Sequence, residues 1–269
     1  MPIGQGAADR SGPTRERPNV AEIILEARGL SKEFLGFAAV RDVSLKVNRN
    51  SIHALIGPNG AGKTTVFNLL TKFLEPTSGT IAFMGRDITR AKAADVARLG
   101  MVRSFQISAV FPHMTVRENV RVALQRPLGT SYRFWQPIES LADLDGRADA
   151  VLASVGLRHQ GDLLAAELPY GGKRALEIAT TLALEPALLL LDEPMAGLGL
   201  EDVKRISALV REVAKTRTVL MVEHNLSVVA DLSDVITVLT RGRVLAEGPY
   251  REIANDAEVR EAYLGTGHA

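Results

Sequence analysis

Residues 51–65 read S-I-H-A-L-I-G-P-N-G-A-G-K-T-T. This stretch joins a compact apolar run, Ser51 to Ile56, to a glycine-rich loop and then to a helical pattern from about Lys63 to Phe73. Residues 57–64 match G-x-x-x-x-G-K-[ST] in the strand-to-helix context that this pattern requires. A simple glycine-rich turn is the alternative, but it would not need the lysine and the threonine. The stretch therefore predicts a loop that cradles phosphate groups at a helix N-terminus.

The residue types of this loop, Gly57–Thr65, suit a nucleoside triphosphate with Mg²⁺. Its glycines let the backbone curl so that successive N–H groups point at phosphate oxygens. Lys63 would bridge the β- and γ-phosphates, Thr64 would place its hydroxyl on Mg²⁺, and Thr65 can add a phosphate contact. The candidate nucleotide-binding residues of this phosphate loop are Gly57, Pro58, Asn59, Gly60, Ala61, Gly62, Lys63, Thr64 and Thr65.

The composition is that of a folded chain. Of 269 residues, 46% are hydrophobic and 23% are charged, and the net charge of +1 argues against wrapping nucleic acid or adhering electrostatically to lipid. The absence of cysteine excludes disulfides and thiolate chemistry. The longest apolar run, Ala187 to Leu191, is far shorter than the roughly 20 residues of a membrane span. Because the N-terminus lacks an apolar core of signal-peptide length, we expect the protein to remain where it is made.

The order of elements along the chain predicts an α/β fold. Residues 1–20 are rich in Gly, Pro and Arg and are expected to form a flexible tail. Thr115 and Glu118 predict a capping box that opens a helix through Leu124, followed by an irregular insertion at 126–145. The other expected elements are strands and turns at 23–47, helices near 148–155, 202–215 and 226–232, and strands at 187–191, 218–222 and 235–239. This alternation predicts a parallel sheet covered on both faces and interrupted by a helical insert.

Polar residues follow several of these strands. Asp192 and Glu193 end the run A-L-L-L-L-D-E-P, His224 follows V-L-M-V, and Gln106 follows M-V-R-S-F. Because the carboxyl ends of parallel strands meet at one sheet edge, these side chains would gather near the phosphate loop. Asp192 suits the shell of Mg²⁺, and Glu193 would polarise an attacking water as general base. A plain turn after the strand and a surface histidine are the alternative interpretations.

The segment Leu168 to Arg174 reads L-P-Y-G-G-K-R and lies upstream of the carboxylate strand. The order of phosphate loop, Gln106, this segment, carboxylates and His224 resembles the ATP-binding cassette of ABC transporters over about residues 22–265. Finer features resemble the LivG-type ATPases of branched-chain or hydrophobic amino acid uptake. These features are L-P-Y-G followed by L-E-I-A, V-R-S-F-Q before F-P-H-M-T-V-R-E-N-V, the insertion after Leu124 and the C-terminal E-A-Y-L-G.

The resemblance implies a RecA-like P-loop NTPase core with a small antiparallel β subdomain and an inserted α-helical subdomain. The ATPase domain would span 21–269 after the tail at 1–20. Within it, 22–105 and 185–250 would form the nucleotide-binding core with the β subdomain. Residues 107–184 would form the helical subdomain with the signature motif, and 251–269 a C-terminal helix.

The family's site residues carry over to matching positions. Phe34 would stack on adenine, the alternative being a hydrophobic residue at a strand edge. Gln106 would tie the γ-phosphate to the helical subdomain and the membrane partner. The signature segment would act on ATP held by the opposite subunit through Pro169, Tyr170, Gly171, Gly172 and Lys173. The catalytic candidates are Glu193, His224 and Gln106, and the Mg²⁺ candidates are Thr64, Gln106 and Asp192.

Several positions depart from the family pattern. Pro169 stands where Ser is general, Lys173 where Gln is usual, Gly199 where Asp or Asn is expected, and Thr180 where Arg is normal. The phosphate loop and the catalytic candidates are unaffected, so we still expect hydrolysis. Unequal ATP sites in a heterodimer remain open.

The implied function is that of the ATP-hydrolysing, energy-coupling subunit of an ABC importer, with ATP and Mg²⁺ as cofactors. Branched-chain or other hydrophobic amino acids, urea and short amides are compatible substrates. Expected partners are a second cassette, favoured as a paralogue in a head-to-tail dimer, two transmembrane permease subunits and, indirectly, an extracytoplasmic solute-binding protein. This places the chain at the cytoplasmic face of the cell membrane.

Two alternative functions remain. The first is a lipopolysaccharide-export-type ATPase, although the insertion fits the amino acid group better. The second is a soluble cassette protein acting on ribosomes or DNA. The near-zero charge, the single cassette and the lack of sustained heptads weigh against that class, and we expect no nucleic acid partner.

Overall fold

The structure is a computed structural model that describes residues 22–104, 110–126 and 142–264. The expected tail at 1–20, Gln106 and most of the insertion at 126–145 lie outside these residues. Across the described ranges, no helix is both long enough and apolar enough to cross a membrane.

A small antiparallel sheet precedes and flanks the phosphate loop. Its described strands are β1 (Ile23–Phe34), β2 (Phe37–Asn48), β4 (Ser78–Phe83) and β5 (Arg86–Asp87), in the order β2-β1-β4-β5. The strands and turns predicted at 23–47 are confirmed as the β1–β2 hairpin. Its turn, Leu35 and Gly36, has positive φ at both positions, as a tight hairpin turn requires. The sequence analysis did not predict β4 and β5.

The described residues also form a central six-stranded sheet with the order β10-β9-β3-β8-β7-β6. Five strands are parallel, and β10 runs antiparallel to β9. The strands are β3 (Ile52–Ile56), β6 (Met101–Arg103), β7 (Leu188–Asp192), β8 (Thr218–Val222), β9 (Val235–Thr240) and β10 (Arg243–Gly248). The parallel sheet is confirmed, whereas β10 was not predicted. Arg241 and Gly242 both have positive φ and close the β9–β10 hairpin, about which the sequence analysis made no prediction.

The helices surround this sheet. They are α1 (Lys63–Leu70), α2 (Ala93–Arg98), α3 (Val116–Gln125), α4 (Ala142–Ser154), α5 (Tyr170–Leu182), α6 (Leu200–Ala214), α7 (Leu226–Leu232), α8 (Tyr250–Ile253) and α9 (Ala257–Leu264). Helix α1 ends before Phe73 because Lys72 adopts φ 63°. Helix α4 begins at Ala142, earlier than predicted. Within 251–264 the expected single C-terminal helix is interrupted, because the Asp256 carboxylate accepts the Val259 N–H and starts a new helix.

The predicted capping box opens α3. The Thr115 hydroxyl accepts the Glu118 N–H at 3.1 Å, and the Glu118 carboxylate accepts the Thr115 N–H at 2.7 Å. The bond from the Thr115 backbone holds the pKa of Glu118 below its usual range. Helices α3, α4 and α5 pack on one another. The described residues between 116 and 182 are therefore largely helical, as predicted.

Hydrophobic cores lie on both faces of the central sheet. Leu189 and Leu191 of β7 belong to the core shared with α3 to α7, and Leu188 and Leu190 to the core shared with α1 and the antiparallel sheet. Neighbouring residues of a strand point to opposite faces, so a strand apolar at every position must be covered on both. The carboxyl edge of this sheet carries the candidate site.

Candidate functional site

The phosphate loop needs glycine for its backbone and for its neighbours. Gly57, Gly60 and Gly62 have φ of 151°, 77° and 100°. A Cβ atom on Gly57 would lie 2.2 Å from the carbonyl oxygen of Leu239, and one on Gly62 would lie 2.9 Å from that of Ala39. Packing against β9 and β2 therefore excludes side chains at these two positions independently of any ligand.

Lys63 is buried at the start of α1. Its Nζ donates hydrogen bonds to the carbonyl oxygens of Gly57 at 2.7 Å and Pro58 at 3.0 Å. Burial lowers the pKa of Lys63, while the charges of Glu193 and Asp192 act in the opposite direction. The loop thus holds a desolvated ammonium group close to two carboxylates.

A cavity of about 330 Å³, here called the nucleotide cavity, opens above the loop. It is lined by Phe37, Ala39, the loop residues Asn59–Thr65, Glu193 and His224. The structure therefore brings the phosphate loop, Glu193 and His224 together as the sequence analysis expected. Phe34 is not among the lining residues. It is half-exposed across the hairpin turn, and the Lys32 ammonium lies 5.3 Å from the centre of its ring.

Glu193 and His224 are in direct contact. Nε2 of His224 lies 2.6 Å from Oε1 of Glu193, with both side chains partly exposed. Because an ionised carboxylate only accepts hydrogen bonds, Nε2 carries the proton when Glu193 is ionised. The two residues follow the neighbouring strands β7 and β8, and the Glu193 N–H donates to the Val222 carbonyl at 2.9 Å. The parallel pairing of β7 with β8 thus creates the contact.

Asp192 is buried at the end of β7 and binds an arginine that the sequence analysis did not single out. Nη2 of Arg103, on β6, donates to Oδ2 of Asp192 at 2.5 Å, and Nη1 donates to Oδ1 of Asn68 at 2.5 Å. The guanidinium carbon lies 5.6 Å from the centre of the Phe67 ring. Arg103 lies inside a predicted strand, and a buried charged residue needs a partner. This was the sequence signal that could have identified Arg103.

Two further residues that the sequence analysis did not identify contact the turn after β7. The Arg174 guanidinium donates to backbone carbonyls of this turn, and the buried Glu223 carboxylate accepts backbone N–H groups around His224. Glu223 directly precedes the histidine already singled out, whereas Arg174 is far from the turn in sequence.

The signature segment, Pro169–Lys173, forms the start of α5, with Pro169 as the N-cap residue. None of its residues lines the nucleotide cavity of the described chain. Tyr170 is 60% exposed and donates its hydroxyl to the Ala196 carbonyl at 3.3 Å. A Cβ atom on Gly171 would lie 2.1 Å from the Asp202 carboxylate. Pro169 and Tyr170 are thus exposed, whereas Gly171 and Gly172 are buried, and the whole segment lies away from the nucleotide cavity of its own chain.

A second cavity of about 430 Å³ lies between the helical region and the central sheet. Residues of α2, β6, α3 and α5 contribute to its walls. Exposed apolar side chains at this cavity are Phe73, Phe111 and Val122. Arg103 and Glu177 are two of the charged residues that line this cavity. Arg103 binds Asp192, and Glu177 binds Arg174, which contacts the turn after β7.

Comparison with known proteins identifies the fold and its family. Residues 40–196 match the family described as ABC transporter, and residues 243–269 match the family described as branched-chain amino acid ATP-binding cassette transporter. The chain is 40% identical over 253 residues to the high-affinity branched-chain amino acid transport ATP-binding protein LivG of Salmonella typhimurium, covering 91% of this chain and 99% of the relative. It is 39% identical over 249 residues to BraF of Pseudomonas aeruginosa, covering 90% and 98%.

Among solved structures, the ADP conformation of MJ1267, an ATP-binding cassette of an ABC transporter, superimposes with a TM-score of 0.80. It is 32% identical and covers 90% of this chain and 99% of that one. The likeness over 90% of this chain confirms the expected fold class. The chain belongs to the ABC transporter family, as an ATP-binding and ATP-hydrolysing cassette of the LivG group.

Proposed function

We propose that the chain powers the uptake of branched-chain or other hydrophobic amino acids from the cytoplasmic face of the membrane. The observation that carries this proposal is the 40% identity over nearly the whole length of LivG, together with the match of residues 243–269 to the branched-chain amino acid family. The match extends beyond the ATP-binding core into the C-terminal residues, so it concerns this subgroup and not only the nucleotide site. Urea and short amides are the other substrates to compare.

The phosphate loop binds the triphosphate of ATP. Its glycine backbone and the N-terminus of α1 supply N–H groups, and Lys63 supplies the positive charge for the β- and γ-phosphates. The Lys63 ammonium already donates to two loop carbonyls, so binding a phosphate exchanges neutral acceptors for charged ones. The aromatic residues of the hairpin, Phe34 and Phe37, are the candidates for stacking on adenine.

Mg²⁺ fits the oxygen donors at this site. Across the described ranges, no cluster of three or more His, Cys, Asp or Glu residues could hold a metal ion alone. Mg²⁺ keeps several waters and binds few carboxylates plus substrate phosphates. Thr64 lines the nucleotide cavity and would hold the ion directly, whereas Asp192 does not line it and pairs with Arg103, so Asp192 would act through a water of the ion. When bound, Mg²⁺ would neutralise phosphate charge. Gln106, the third expected ligand, lies outside the described residues.

Glu193 acts as the general base for hydrolysis, and His224 orients it. A water held by the free carboxylate oxygen of Glu193 would lie at the nucleotide cavity, which Glu193 lines. The bond from Nε2 of His224 to the other oxygen fixes the direction of the carboxylate. This arrangement supports a base that is positioned before ATP arrives.

The second cavity is the proposed docking place for a cytoplasmic segment of a transmembrane permease subunit. It presents exposed Phe73, Phe111 and Val122 at its rim, and a helix-sized apolar partner segment would bury them. The cavity joins the helical region to β6, the strand that leads to Gln106. Permease movement would therefore act near the Mg²⁺ and γ-phosphate site.

A second cassette completes the ATP site. The signature segment starts α5, exposes Pro169 and Tyr170, and is absent from the lining of the nucleotide cavity of its own chain. A head-to-tail dimer, favoured as one with a paralogue, would bring it to the partner's ATP. The same proposal keeps the expected division into a core at 22–105 and 185–250 and a helical subdomain at 107–184.

The test is to tag the Glu193→Gln variant, hold it closed with ATP and extract it gently from native membranes. Mass spectrometry should identify two different permease chains and a second cassette. The complex, joined to its solute-binding protein in proteoliposomes, should take up labelled leucine with the wild-type chain and not with Glu193→Gln. Recovery of ribosomes or export-bridge proteins, or uptake of urea without leucine, would contradict the proposed function.

A further inference from the structure

The turn after β7 has an unusual backbone at its catalytic residue. We call Asp192–Met195 the catalytic segment. Glu193 has φ 47°, in the left-handed region that residues with side chains rarely adopt. Such conformations persist where the surroundings hold them, and they often serve a functional site. At Glu193, hydrogen bonds with two charged side chains hold this conformation, one on each side of the segment.

Arg174, at the start of α5, holds the carbonyl side of the segment. Its Nη2 donates to the carbonyl oxygens of Asp192 at 3.1 Å and Glu193 at 2.6 Å, and its Nε donates to that of Pro194 at 3.0 Å. Its Nη1 donates to Oε2 of Glu177 at 2.7 Å, one helical turn further along α5. The fixed planar fork of a guanidinium group can serve three successive carbonyls, which an ammonium group cannot do in the same way.

Glu223, directly after β8, holds the N–H side of the segment. Its Oε1 accepts the Met195 N–H at 2.9 Å, and its Oε2 accepts the N–H groups of His224 at 2.9 Å and Asn225 at 3.2 Å. The residue is 3% exposed, so water does not replace these bonds. One buried carboxylate therefore joins the segment that carries Glu193 to the segment that carries His224.

We propose that Arg174 and Glu223 are positioning residues that fix the Glu193 turn and thereby the 2.6 Å contact between Glu193 and His224. Neither residue lines the nucleotide cavity, so both act through the backbone that carries the two catalytic candidates. The proposal rests on the role of Glu193 as general base. It deepens that role by naming what keeps the base in place.

A carboxylate is required at position 223 for a reason of hydrogen-bond chemistry. The two oxygens of Glu223 face N–H donors on both sides. In Glu223→Gln, the shape is kept but one side becomes an NH₂ group, which meets an N–H group and cannot accept from it. Either the Met195 bond or the bonds to His224 and Asn225 must then be lost.

The test uses the transporter complex with its second cassette and compares Glu223→Gln and Arg174→Lys of this chain with wild type. The matched control is Glu118→Gln, a glutamate that also accepts a backbone N–H but lies in the capping box of α3. For Glu223→Gln we expect kcat to fall about 10- to 100-fold while the Kd for ATP stays unchanged. The kcat of Arg174→Lys should lie between the values of wild type and Arg174→Ala. The control should keep its kcat.

A double-mutant cycle separates positioning from general damage to the fold. If Glu223 acts through Glu193, adding Glu223→Gln to Glu193→Gln should cause no further loss of residual turnover. An equal loss in both backgrounds, or a normal kcat in Glu223→Gln, would overturn the proposal. If Glu223→Gln does not fold, a normal kcat in Arg174→Ala would also overturn it. Full turnover in Glu193→Gln alone would instead reject the proposed role of Glu193.

Discussion

The two cavities of this protein are built in opposite ways. The nucleotide cavity takes most of its wall from one continuous stretch, Asn59–Thr65, and the rest from single residues at strand ends and in the hairpin. The second cavity collects side chains from three separate stretches: residues 71–73, residues 93–126 with α2, β6 and α3, and residues 177–184 at α5. Continuous stretches carry local backbone requirements that a sequence pattern can display. Scattered walls depend on how layers pack, so they leave no pattern.

The cavities also differ in polarity, yet residues that line each of them contact the turn after β7 or its neighbours. The nucleotide cavity contains Lys63 and Glu193, whereas the second cavity has an apolar rim. Two charged residues of the second cavity reach towards catalysis: Arg103 binds the Asp192 side chain, and Glu177 binds Arg174. The proposed catalytic residues Glu193 and His224 therefore line one cavity, while Arg103 and Glu177, which contact Asp192 and Arg174, line the other.

The largest expected effect is the loss of ATP binding and turnover when the charge of the nucleotide cavity is removed. In Lys63→Met, loss of the ammonium group should lower kcat about 10²- to 10³-fold, because a charged donor aimed at the developing phosphate charge is removed. The Kd for ATP should rise roughly 10- to 100-fold, as measured by fluorescence titration.

The matched control for this prediction is Lys72→Met. Lys72 is also a buried lysine whose pKa is lowered by burial, and its Nζ donates to the Thr89 carbonyl at 2.5 Å outside the nucleotide cavity. This variant should lose thermal stability and keep its Kd for ATP. Equal losses of ATP binding in both variants would show that burying a lysine, not the phosphate site, explains the effect.

An intermediate effect is expected at the apolar cavity. Val122→Asp places a charge on its rim, where Val122 is 38% exposed, so the fold should tolerate the change. Because a partner segment would have to bury that charge, co-purification with the permease should fall about 10-fold or more, with unchanged Kd for ATP. Ala150→Asp, at an exposed position of α4, is the control and should assemble normally. Normal assembly of Val122→Asp would remove the docking role from this cavity.

The smallest expected effect concerns which phenylalanine of the hairpin contacts the base of ATP. Phe37 lines it and Phe34 does not, although the family pattern pointed to Phe34. If this geometry persists with ATP bound, Phe37→Ala should raise the Kd for ATP about 10-fold, through loss of stacking on the base, and Phe34→Ala less. Competition between ATP and inorganic triphosphate provides the measurement, since only ATP carries the base. A larger change in Phe34→Ala would return the stacking role to Phe34.

Local patterns predicted much of the fold. The phosphate loop, the Thr115–Glu118 capping box and the fully buried strands were predictable, because each depends on residues within a few positions of one another. The short strands β4 and β5, the hairpin at Arg241 and the early start of α4 were not predicted. Strand β4 pairs with the distant β1, and α4 packs on α3 and α5, so tertiary contacts override weak local preferences there. Strands β5 and β10 instead follow the two-residue turns Met84-Gly85 and Arg241-Gly242, a local signal that the sequence analysis did not use.

By itself, the sequence determined the kind of chemistry at the site. It placed a phosphate loop, two carboxylates and a histidine in an order that requires them to meet at the carboxyl edge of a parallel sheet. The tertiary structure alone decided which groups support them. Arg103 and Asp192 are 89 positions apart, and Met195 and Glu223 are 28 apart, so their hydrogen bonds exist only because neighbouring strands align. A buried charge needs a partner, but only packing determines which residue it is.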